Sequence, residues 1–396
     1  MRRTSIAWAT AAMMVYAAGA TGAHAAGAPL RIGMLAPYSG PYALYGQEFH
    51  DGAALYLKQH GGMIAGRPVT MIEKDTTGPD PALAKRLADE LVVQDHASLL
   101  TGLAFSPNAF AVAKVASQAR IPTVVMNAAA SGITLASPYV VRVSFTEAQV
   151  TEPLAKWVYR HGSHTAYTLV ADYAPGLDAQ KAFEQFFGVA GGKLVGGVRT
   201  PMNTLDFSPY VQRIKQVHPQ AVFFFLPSGP MCQAFLRAWQ QAGMEHSGIK
   251  LYATGDATDD AFLQATGKVA LGLITSYQYS YAHPSALNRS FVRDFEKTFG
   301  DKLRPNAFAV AAYDGMHAID LALTSTGGKV DGPAVMKALE GLKFESPRGP
   351  ITIDPATRDI EQTVYIRKVE MQDGKLVNHE FDQVDNVLDP YEQNQH

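Results

Sequence analysis

Strand-like and helix-like segments alternate along most of this chain of 396 residues, and this alternation limits the folds that it can adopt. In the first half, the strand-like runs are short and apolar, at residues 30–35, 69–74, 97–101 and 123–126. Asp80 and Pro81 predict the start of a helix between two of these runs, because an aspartate caps free amides and a proline fits the first turn. Strand, helix and strand at this spacing predict parallel βαβ units with right-handed crossovers.

The same pattern starts again near residue 149. Strand-like runs separated by helical stretches lie at residues 167–171, 194–198, 221–226, 251–253 and 271–278. Helices predicted at 286–299 and 307–324 are expected to return to the first half of the fold, and a hairpin over 365–377, turning at Asp373-Gly374, is expected near the end. The sequence therefore predicts an α/β fold of two doubly wound, Rossmann-like lobes, with the chain passing between them more than once.

Composition and charge exclude several functional classes. The 34 basic and 36 acidic side chains nearly balance, which argues against a nucleic-acid-binding surface. The single cysteine, Cys232, excludes an internal disulfide and a zinc site with several cysteines, and its apolar neighbours predict a buried thiol. The histidines are scattered and predict no metal site. We therefore expect no cofactor and no bound metal.

The first residues have the three parts of a secretory signal. Arg2 and Arg3 are followed by an apolar run over residues 6–18 and by the small-residue pattern Ala23-His24-Ala25. We expect cleavage after Ala25 and export to the periplasm, and an uncleaved membrane anchor is the alternative. The apolar run is shorter than the roughly 20 residues that span a bilayer.

Turns that follow the predicted strands carry the candidate binding residues, since ligands of open α/β sheets collect at the carboxyl ends of strands. Four turns have the required small, polar or proline residues: Ser39-Gly40-Pro41 leading to Tyr45, Ser106-Pro107-Asn108, Asn127-Ala128-Ala129-Ala130-Ser131, and Ser228-Gly229-Pro230. Free amides and a serine hydroxyl at such a helix start suit a ligand carboxylate. The alternative for Ser106 is that it only caps its own helix.

Two further residues after strands offer different chemistry. Asp256 supplies a carboxylate for a ligand ammonium, or instead caps the helix that starts near Asp259 and Asp260. Tyr173 supplies a flat apolar wall with a polar tip, or simply packs. The chain lacks the nucleophile-elbow, zinc-protease, phosphate-loop and dinucleotide motifs, so we predict that it is not an enzyme.

Several segments, in this order and spacing, resemble the periplasmic branched-chain amino-acid-binding proteins, the Leu/Ile/Val-binding solute receptors of ABC importers. The segments that carry the resemblance are RIGMLAPYSGPYALYGQEFHDGAALYL, GLAFSPNAFAVAKVASQARIPTVVMNAAASGIT, LVADYAPGLDAQKAFE, FSPYVQRIKQVHPQAVFFFLPSG, LYATGDATDD, NAFAVAAYDGMHAID and ESPRGPITIDPATRD. The resemblance implies the type I periplasmic binding protein fold, whose two lobes are joined by a three-segment hinge. It implies an N-terminal lobe of residues 26–146 plus 279–348 and a C-terminal lobe of 147–278 plus 349–396.

The resemblance also implies roles for single residues. Ser106 and the backbone amide of the loop at Ala128 correspond to groups that bind the ligand carboxylate, with Ala129 beside them. Asp256 corresponds to the acid that pairs with the α-ammonium. The other matching residues are the first-lobe aromatic Tyr45, the second-lobe tyrosine Tyr173 that closes over the ligand, and the second-lobe contact Ser228.

Departures from the family pattern leave the ligand open. The loop threonine that also binds the carboxylate is replaced by Ala129 or Ala130, and Ser131 is a possible substitute. The expected function is capture of a small carboxylate, a branched-chain or related amino acid, and its delivery to an ABC permease by a monomeric receptor. The alternatives are an aromatic or other carboxylate ligand, a ligand-sensing receptor domain and, less favoured, a Rossmann-type enzyme.

Overall fold

The structure is a computed structural model that describes residues 28–392, so the signal predicted at 1–25 lies outside the described residues. The described part contains fifteen strands: β1 (Leu30–Ala36), β2 (Met63–Ile64), β3 (Arg67–Asp75), β4 (Leu99–Gly102), β5 (Thr123–Val125), β6 (Val140–Arg142), β7 (Thr165–Ala171), β8 (Lys193–Thr200), β9 (Ala221–Phe225), β10 (Lys250–Thr254), β11 (Ile274–Tyr277), β12 (Lys343–Ser346), β13 (Gly349–Ile353), β14 (Ile360–Gln372) and β15 (Lys375–Val387). It contains eleven α-helices: α1 (Ala43–Gln59), α2 (Pro81–Val93), α3 (Ser106–Ala119), α4 (Glu147–Arg160), α5 (Ala174–Val189), α6 (Ser208–Val217), α7 (Pro230–Gln241), α8 (Asp260–Thr266), α9 (Ala286–Phe299), α10 (Ala307–Ser325) and α11 (Gly332–Leu339).

The first sheet has six strands in the order β2-β3-β1-β4-β5-β6. All of its pairings are parallel except that of the short β2 with β3. One face packs under α1, α10 and α11 through residues such as Ile32 and Met34, and the other packs under α2 and α3 through residues such as Leu35. Alternate side chains of a strand point to opposite faces, so β1 supplies both cores.

The second sheet has nine strands, ordered β12-β13-β14-β11-β10-β9-β7-β8, with β15 paired to β14. The strands from β7 to β11 are parallel, and the hairpin of β14 and β15 is antiparallel. Helices α4 and α5 cover one face and α6, α7 and α8 cover the other. The prediction of an α/β fold with two doubly wound lobes is confirmed.

The chain passes between the two sheets three times, at residues 143–146, 278–285 and 340–342. Helices α9 and α10 pack on α1, as the sequence predicts. The third passage comes earlier than the expected lobe limit at 348, because β12 already pairs with β13 in the second sheet. The limits of the lobes as moving units remain predictions.

Buried arginines hold the passages together. Arg142 at the end of β6 forms an ion pair with Asp359, with Nη2 2.6 Å from Oδ2. Arg348 lies 3.1 Å from Asp314 of α10 and donates to the carbonyl oxygen of Ser144, 3.0 Å away. Both guanidinium groups are almost fully buried, and each is paired with a carboxylate, as buried charges require. The region of the passages between the lobes, which we call the rear, is therefore stabilised by pairs of buried opposite charges.

Candidate functional site

The predicted site residues lie at the carboxyl ends of strands in both sheets. In the first sheet the strand order reverses between β1 and β4, and in the second between β7 and β9. Such a reversal opens a crevice above the strand ends, which is where ligands bind in open α/β sheets. Ser106 follows β4, and Tyr173, Ser228 and Asp256 follow β7, β9 and β10.

Ser106 is the first residue of α3 and is completely buried. Its capping alternative is wrong, because the cap position is Phe105 and no side chain caps this helix. The Ser106 Oγ instead accepts a hydrogen bond of 3.0 Å from the Ala130 N–H. Because Oγ is the acceptor in this bond, the hydroxyl proton remains available for donation. Gly102, with a φ of +92°, allows the close turn before it, since a Cβ there would lie 2.5 Å from the Leu35 oxygen.

The loop that contains Ala128 and Ala129 differs from the expectation in one respect. The Ala128 N–H donates to the Leu103 oxygen at 2.9 Å, because the loop folds back over the end of β4. The amide that the resemblance assigns to the ligand carboxylate is therefore already engaged. Arg142 fixes the same loop by donating to the carbonyl oxygens of Ala128, at 2.7 Å, and Ala130, at 2.9 Å.

Ser131 is not placed to replace the missing threonine. Its hydroxyl donates to Asp389 at 2.6 Å, and its N–H donates to Asp178 at 2.9 Å. Asp389 belongs to the segment after β15, which returns to the first-lobe loop. Ser131 thus ties the loop to the C-terminal segment.

Tyr45 of α1 joins the two lobes directly. Its hydroxyl donates to the Ser228 carbonyl oxygen at 2.8 Å, while its ring stacks on Phe308 with centroids 4.2 Å apart. Burial, followed by the nearby Asp256, raises the pKa of Tyr45 well above its ordinary value, so the hydroxyl stays protonated and remains a donor. This bond forms only when the lobes are together.

Asp256 lies in a 3-10 turn, Gly255–Thr258, directly after β10. Its carboxylate accepts from the Ser228 hydroxyl at 3.3 Å and the Thr254 hydroxyl at 3.1 Å. The capping alternative for Asp256 is wrong, because Asp259 caps α8 by accepting from the Ala261 N–H. Asp256 therefore does not cap α8, and burial raises its pKa to about 6.

Glu147, which the sequence analysis missed, connects the two halves of the site. Its N–H donates to the Ala129 oxygen at 2.9 Å, and its buried carboxyl group lies near that of Asp256. Burial and the Asp256 charge raise the pKa of Glu147 well above its ordinary value. An acidic residue in the first turn of a helix, after the capping Thr146, ordinarily stabilises the helix, so nothing in the sequence singles it out.

These contacts connect the two lobes across the candidate site. Listed from one end to the other, the linked residues are Tyr45, Ser228, Asp256, Glu147, Ala129, Ala130 and Ser106. The structure thus brings the predicted residues of both lobes together and inserts Glu147 between them.

Aromatic rings line the same region. In the first lobe, Tyr45 stacks on Phe105 as well as on Phe308, and Tyr42 meets Phe105 edge to face at 4.9 Å. Tyr173, half-buried in the second lobe, packs against the cores of both lobes. Its ring lies 6.0 Å from that of Phe225 in a stacked arrangement.

A second polar contact crosses the cleft beside this chain. The side-chain amide of Asn306, which caps α10, donates to both carboxylate oxygens of Asp259 at 3.0 Å. Burial raises the pKa of Asp259 to about 7, and burial also raises that of Glu48, a neighbour on α1. The region where the two lobes meet beside Tyr45 and Asp256, which we call the front, therefore holds several buried carboxyl groups.

One group of carboxylates in residues 28–392 is close enough to share a cation. Asp359, Asp389 and Glu392 are buried, with oxygens within 4.8 Å of one another. Arg142 already neutralises part of this charge, 2.6 Å from Asp359 and 3.9 Å from Glu392.

No helix in the described part of the chain is both long and apolar enough to cross a membrane.

Comparison with known proteins identifies the family. A family model described as periplasmic binding protein matches residues 29–375. The chain belongs to the periplasmic binding protein family. The resemblance predicted from the sequence is confirmed, and the fold is that of the type I periplasmic binding proteins.

Three relatives of this periplasmic binding protein are informative. Leu/Ile/Val-binding protein homolog 6 of Brucella melitensis is 41% identical, over 96% of this chain and 98% of its own. A solute binding protein of an ABC transporter from Rhodopseudomonas palustris BisB5, in complex with 3,4-dihydroxybenzoic acid, is 43% identical, with a TM-score of 0.88 over 92% of this chain and 99% of its own. Another from the HaA2 strain, in complex with p-hydroxybenzoic acid, is 40% identical, with a TM-score of 0.91 over 93% of this chain and 100% of its own.

Proposed function

We propose that this protein is the extracytoplasmic solute receptor of an ABC importer and that its ligand is a small aromatic carboxylic acid of the hydroxybenzoate type. The lobes close on the ligand, and the closed form is delivered to the membrane permease. No bond is broken, so the protein has no catalytic group. The leader predicted at residues 1–25 supports a periplasmic location, and the receptor acts as a monomer.

The observation that supports the ligand class is the cluster of aromatic rings beside the polar groups of the site. Tyr45, Phe105 and Phe308 form a stacked surface in the first lobe, and Tyr173 faces the same core from the second. Aromatic pairs prefer offset-stacked or edge-to-face packing and gain about 0.5–1.5 kcal/mol beyond area burial. A flat ring held between these surfaces matches their shape better than a branched aliphatic chain.

The first-lobe end of the cleft supplies the carboxylate anchor. The Ser106 hydroxyl has a proton to donate, and it lies at the amino end of α3, where the first backbone N–H groups have no partner within the helix. Hydrogen bonds to a charged group contribute about 1.5–3 kcal/mol each. The engaged Ala128 amide moves the anchor from the expected loop amide to Ser106 and the helix start.

The relatives support the same ligand class. Two solved structures that are 40–43% identical along almost their whole length carry hydroxylated benzoic acids. Chains this similar over more than nine-tenths of this chain keep the position of the cleft. We infer the aromatic ring and the carboxylate of the ligand from these relatives. We infer the residues that would bind them from this chain.

A branched-chain amino acid is the second candidate ligand. The relative named as a Leu/Ile/Val-binding homolog favours it, and so does the carboxyl pair of Asp256 and Glu147, which would neutralise an α-ammonium. The α-ammonium of an amino acid would favour the ionised form of both Asp256 and Glu147. A hydroxybenzoate carries no cation, so one of the two carboxyl groups would stay protonated. The two candidates therefore differ in charge balance as well as in shape.

Isothermal titration calorimetry with 4-hydroxybenzoate and leucine separates the candidates. The proposal predicts binding of 4-hydroxybenzoate in the micromolar range, about 8 kcal/mol, and no heat with leucine. This affinity exceeds the roughly 5.5 kcal/mol that moves a two-state protein from mostly open to mostly closed. Leucine binding without 4-hydroxybenzoate binding would overturn the proposed ligand class.

A further inference from the structure

The segment after β15, residues 388–392, reaches from the second sheet to the loop that joins β5 to β6 of the first sheet. Its acidic residues Asp389 and Glu392 are each 2% exposed. The Asp389 carboxylate accepts from the Ser131 hydroxyl at 2.6 Å, and the Glu392 carboxylate accepts from the Gly132 N–H at 2.6 Å. Hydrogen bonds to a carboxylate are among the stronger ones in proteins. The C-terminal segment of the second lobe therefore holds a loop of the first lobe.

The peptide between Ala130 and Ser131 is held from both sides. Its N–H, which belongs to Ser131, donates to Asp178 of α5 at 2.9 Å. Its oxygen, which belongs to Ala130, accepts from Arg142 at 2.9 Å. Charged side chains thus fix the rotation of this peptide, and the N–H of the same Ala130 has little freedom to move.

The loop matters for the ligand because the Ala130 N–H donates to the Ser106 Oγ at 3.0 Å. This bond occupies the acceptor side of the hydroxyl and sets the directions that remain for its proton. A shift of the loop would remove the bond and free the hydroxyl to rotate. Groups that bind a ligand keep their geometry only when neighbouring hydrogen bonds and packing fix them.

We propose that the C-terminal segment 388–392 positions the carboxylate anchor: Asp389 and Glu392 hold the loop, and the loop orients the Ser106 hydroxyl. The segment then acts on ligand affinity through Ser106 rather than by a ligand contact of its own. The inference rests on the proposed function, because it assumes that Ser106 binds the ligand carboxylate.

Calorimetry with 4-hydroxybenzoate on two single variants tests this role. Asp389→Ala removes the acceptor of the Ser131 hydroxyl, whereas Ser131→Ala removes the donor and leaves the C-terminal segment intact. Each is expected to weaken binding by about tenfold, a coupling typical of residues in one hydrogen-bond network. Asp385→Ala is the matched control, since Asp385 is an exposed residue of β15 that bonds to Thr363 at 2.9 Å, and its affinity should equal that of the wild type.

Asp389→Asn is the conservative variant that should restore binding. Its side-chain amide can donate to the Ser131 Oγ, because a serine hydroxyl accepts as well as donates. The loop then stays bonded to the C-terminal segment, and the affinity is expected to remain within about threefold of the wild type. An affinity of Asp389→Asn as low as that of Asp389→Ala would contradict a role based on this hydrogen bond.

A double-mutant cycle with Ser106→Ala distinguishes positioning of the anchor from a general effect on the fold. If the segment acts through Ser106, Asp389→Ala has no further effect on affinity once the hydroxyl is gone. An equal tenfold loss with and without Ser106, or unchanged affinity of folded Asp389→Ala and Ser131→Ala, would overturn the inference. Absence of 4-hydroxybenzoate binding to the wild type would instead overturn the proposed function.

Discussion

The rear and the front of the molecule differ in the charges of the polar groups that they bury. At the rear, Arg142 pairs with Asp359 and Arg348 pairs with Asp314, so each buried cation faces a buried anion. At the front, the buried carboxyl groups of Glu147 and Asp256 lie near each other, and the direct hydrogen bonds between the lobes involve at most one charged group. The rear therefore places arginines beside its buried carboxylates, whereas the front places carboxyl groups near one another.

We propose that this difference lets the passages between the lobes act as a fixed joint while the front opens. Breaking a fully paired buried ion pair is expensive, so the passages of the chain hold their arrangement. The front contacts are individually small, and a ligand that completes them can shift the balance between open and closed forms. Substitutions at the two places should therefore have different effects.

The largest effect is expected at the rear. Arg142→Met removes the cation from buried Asp359 and Glu392 and should lower the free energy of unfolding by about 3–5 kcal/mol. Urea denaturation measures the loss. The control Arg293→Met removes an exposed arginine that pairs with Asp294, and it should change stability by less than about 1 kcal/mol. Equal stability of the two variants would show that the rear pair is not a fixed joint.

The second-largest effect is expected at the front, where the free energy of unfolding should fall as pH rises. Burial raises the pKa of Asp256 to about 6 and that of Asp259 to about 7. Each folded pKa lies above the unfolded one, so the stabilising contribution is present below about pH 4 and is lost as pH rises through 6 and 7. For Asp256 alone the loss is on the order of 3 kcal/mol.

Thermal melting between pH 5 and pH 8 measures this dependence. Asp259→Asn keeps the cap of α8 but removes one titrating group, so its melting temperature should vary less with pH than that of the wild type. A melting temperature that rises steadily from pH 5 to pH 8 in the wild type would contradict the assignment of protonated carboxyl groups to the front.

Ser106→Ala tests the carboxylate anchor. The variant should bind 4-hydroxybenzoate about 10- to 150-fold more weakly, because a hydrogen bond to a charged group contributes about 1.5–3 kcal/mol. Ser117→Ala is the matched control, since Ser117 lies on the same helix and bonds to Ser137 away from the cleft. Equal affinities of the two variants would remove Ser106 from the site.

Tyr45→Phe is expected to have the smallest effect. It removes the bond to the Ser228 oxygen but keeps the stacked ring, so ligand affinity should fall by about 2- to 12-fold, or 0.5–1.5 kcal/mol. Tyr56→Phe makes the same change on the same helix, where the hydroxyl bonds to Asp320 within the first lobe. Tyr56→Phe should lower the free energy of unfolding and leave the ligand affinity unchanged. If Tyr56→Phe weakened ligand binding and Tyr45→Phe did not, the bond between Tyr45 and Ser228 would not be a contact that forms on closure.

Most of the fold follows from local patterns in the sequence. Strand runs such as 30–35 and the helix start at Asp80-Pro81 depend on hydrophobic periodicity and capping, and the structure contains both. Short elements such as β2 and β6, with two and three residues, are set by pairing with neighbouring strands and leave no periodic signal.

The site was predictable only in part, because its contacts join distant residues. Tyr45 and Ser228, 183 residues apart, were named through their turns and the family resemblance. Glu147 was not, since its position near Asp256 depends on how the first passage between lobes positions α4. The engaged amide of Ala128 depends in the same way on the path of a loop.

We propose that a small aromatic acid draws the two lobes together at the front while the rear stays fixed. Small-angle X-ray scattering of the protein titrated with 4-hydroxybenzoate measures this change directly. We predict a decrease in the radius of gyration that saturates at the same ligand concentration as the calorimetric binding curve. Scattering curves that stay the same while calorimetry shows full occupancy would contradict the account.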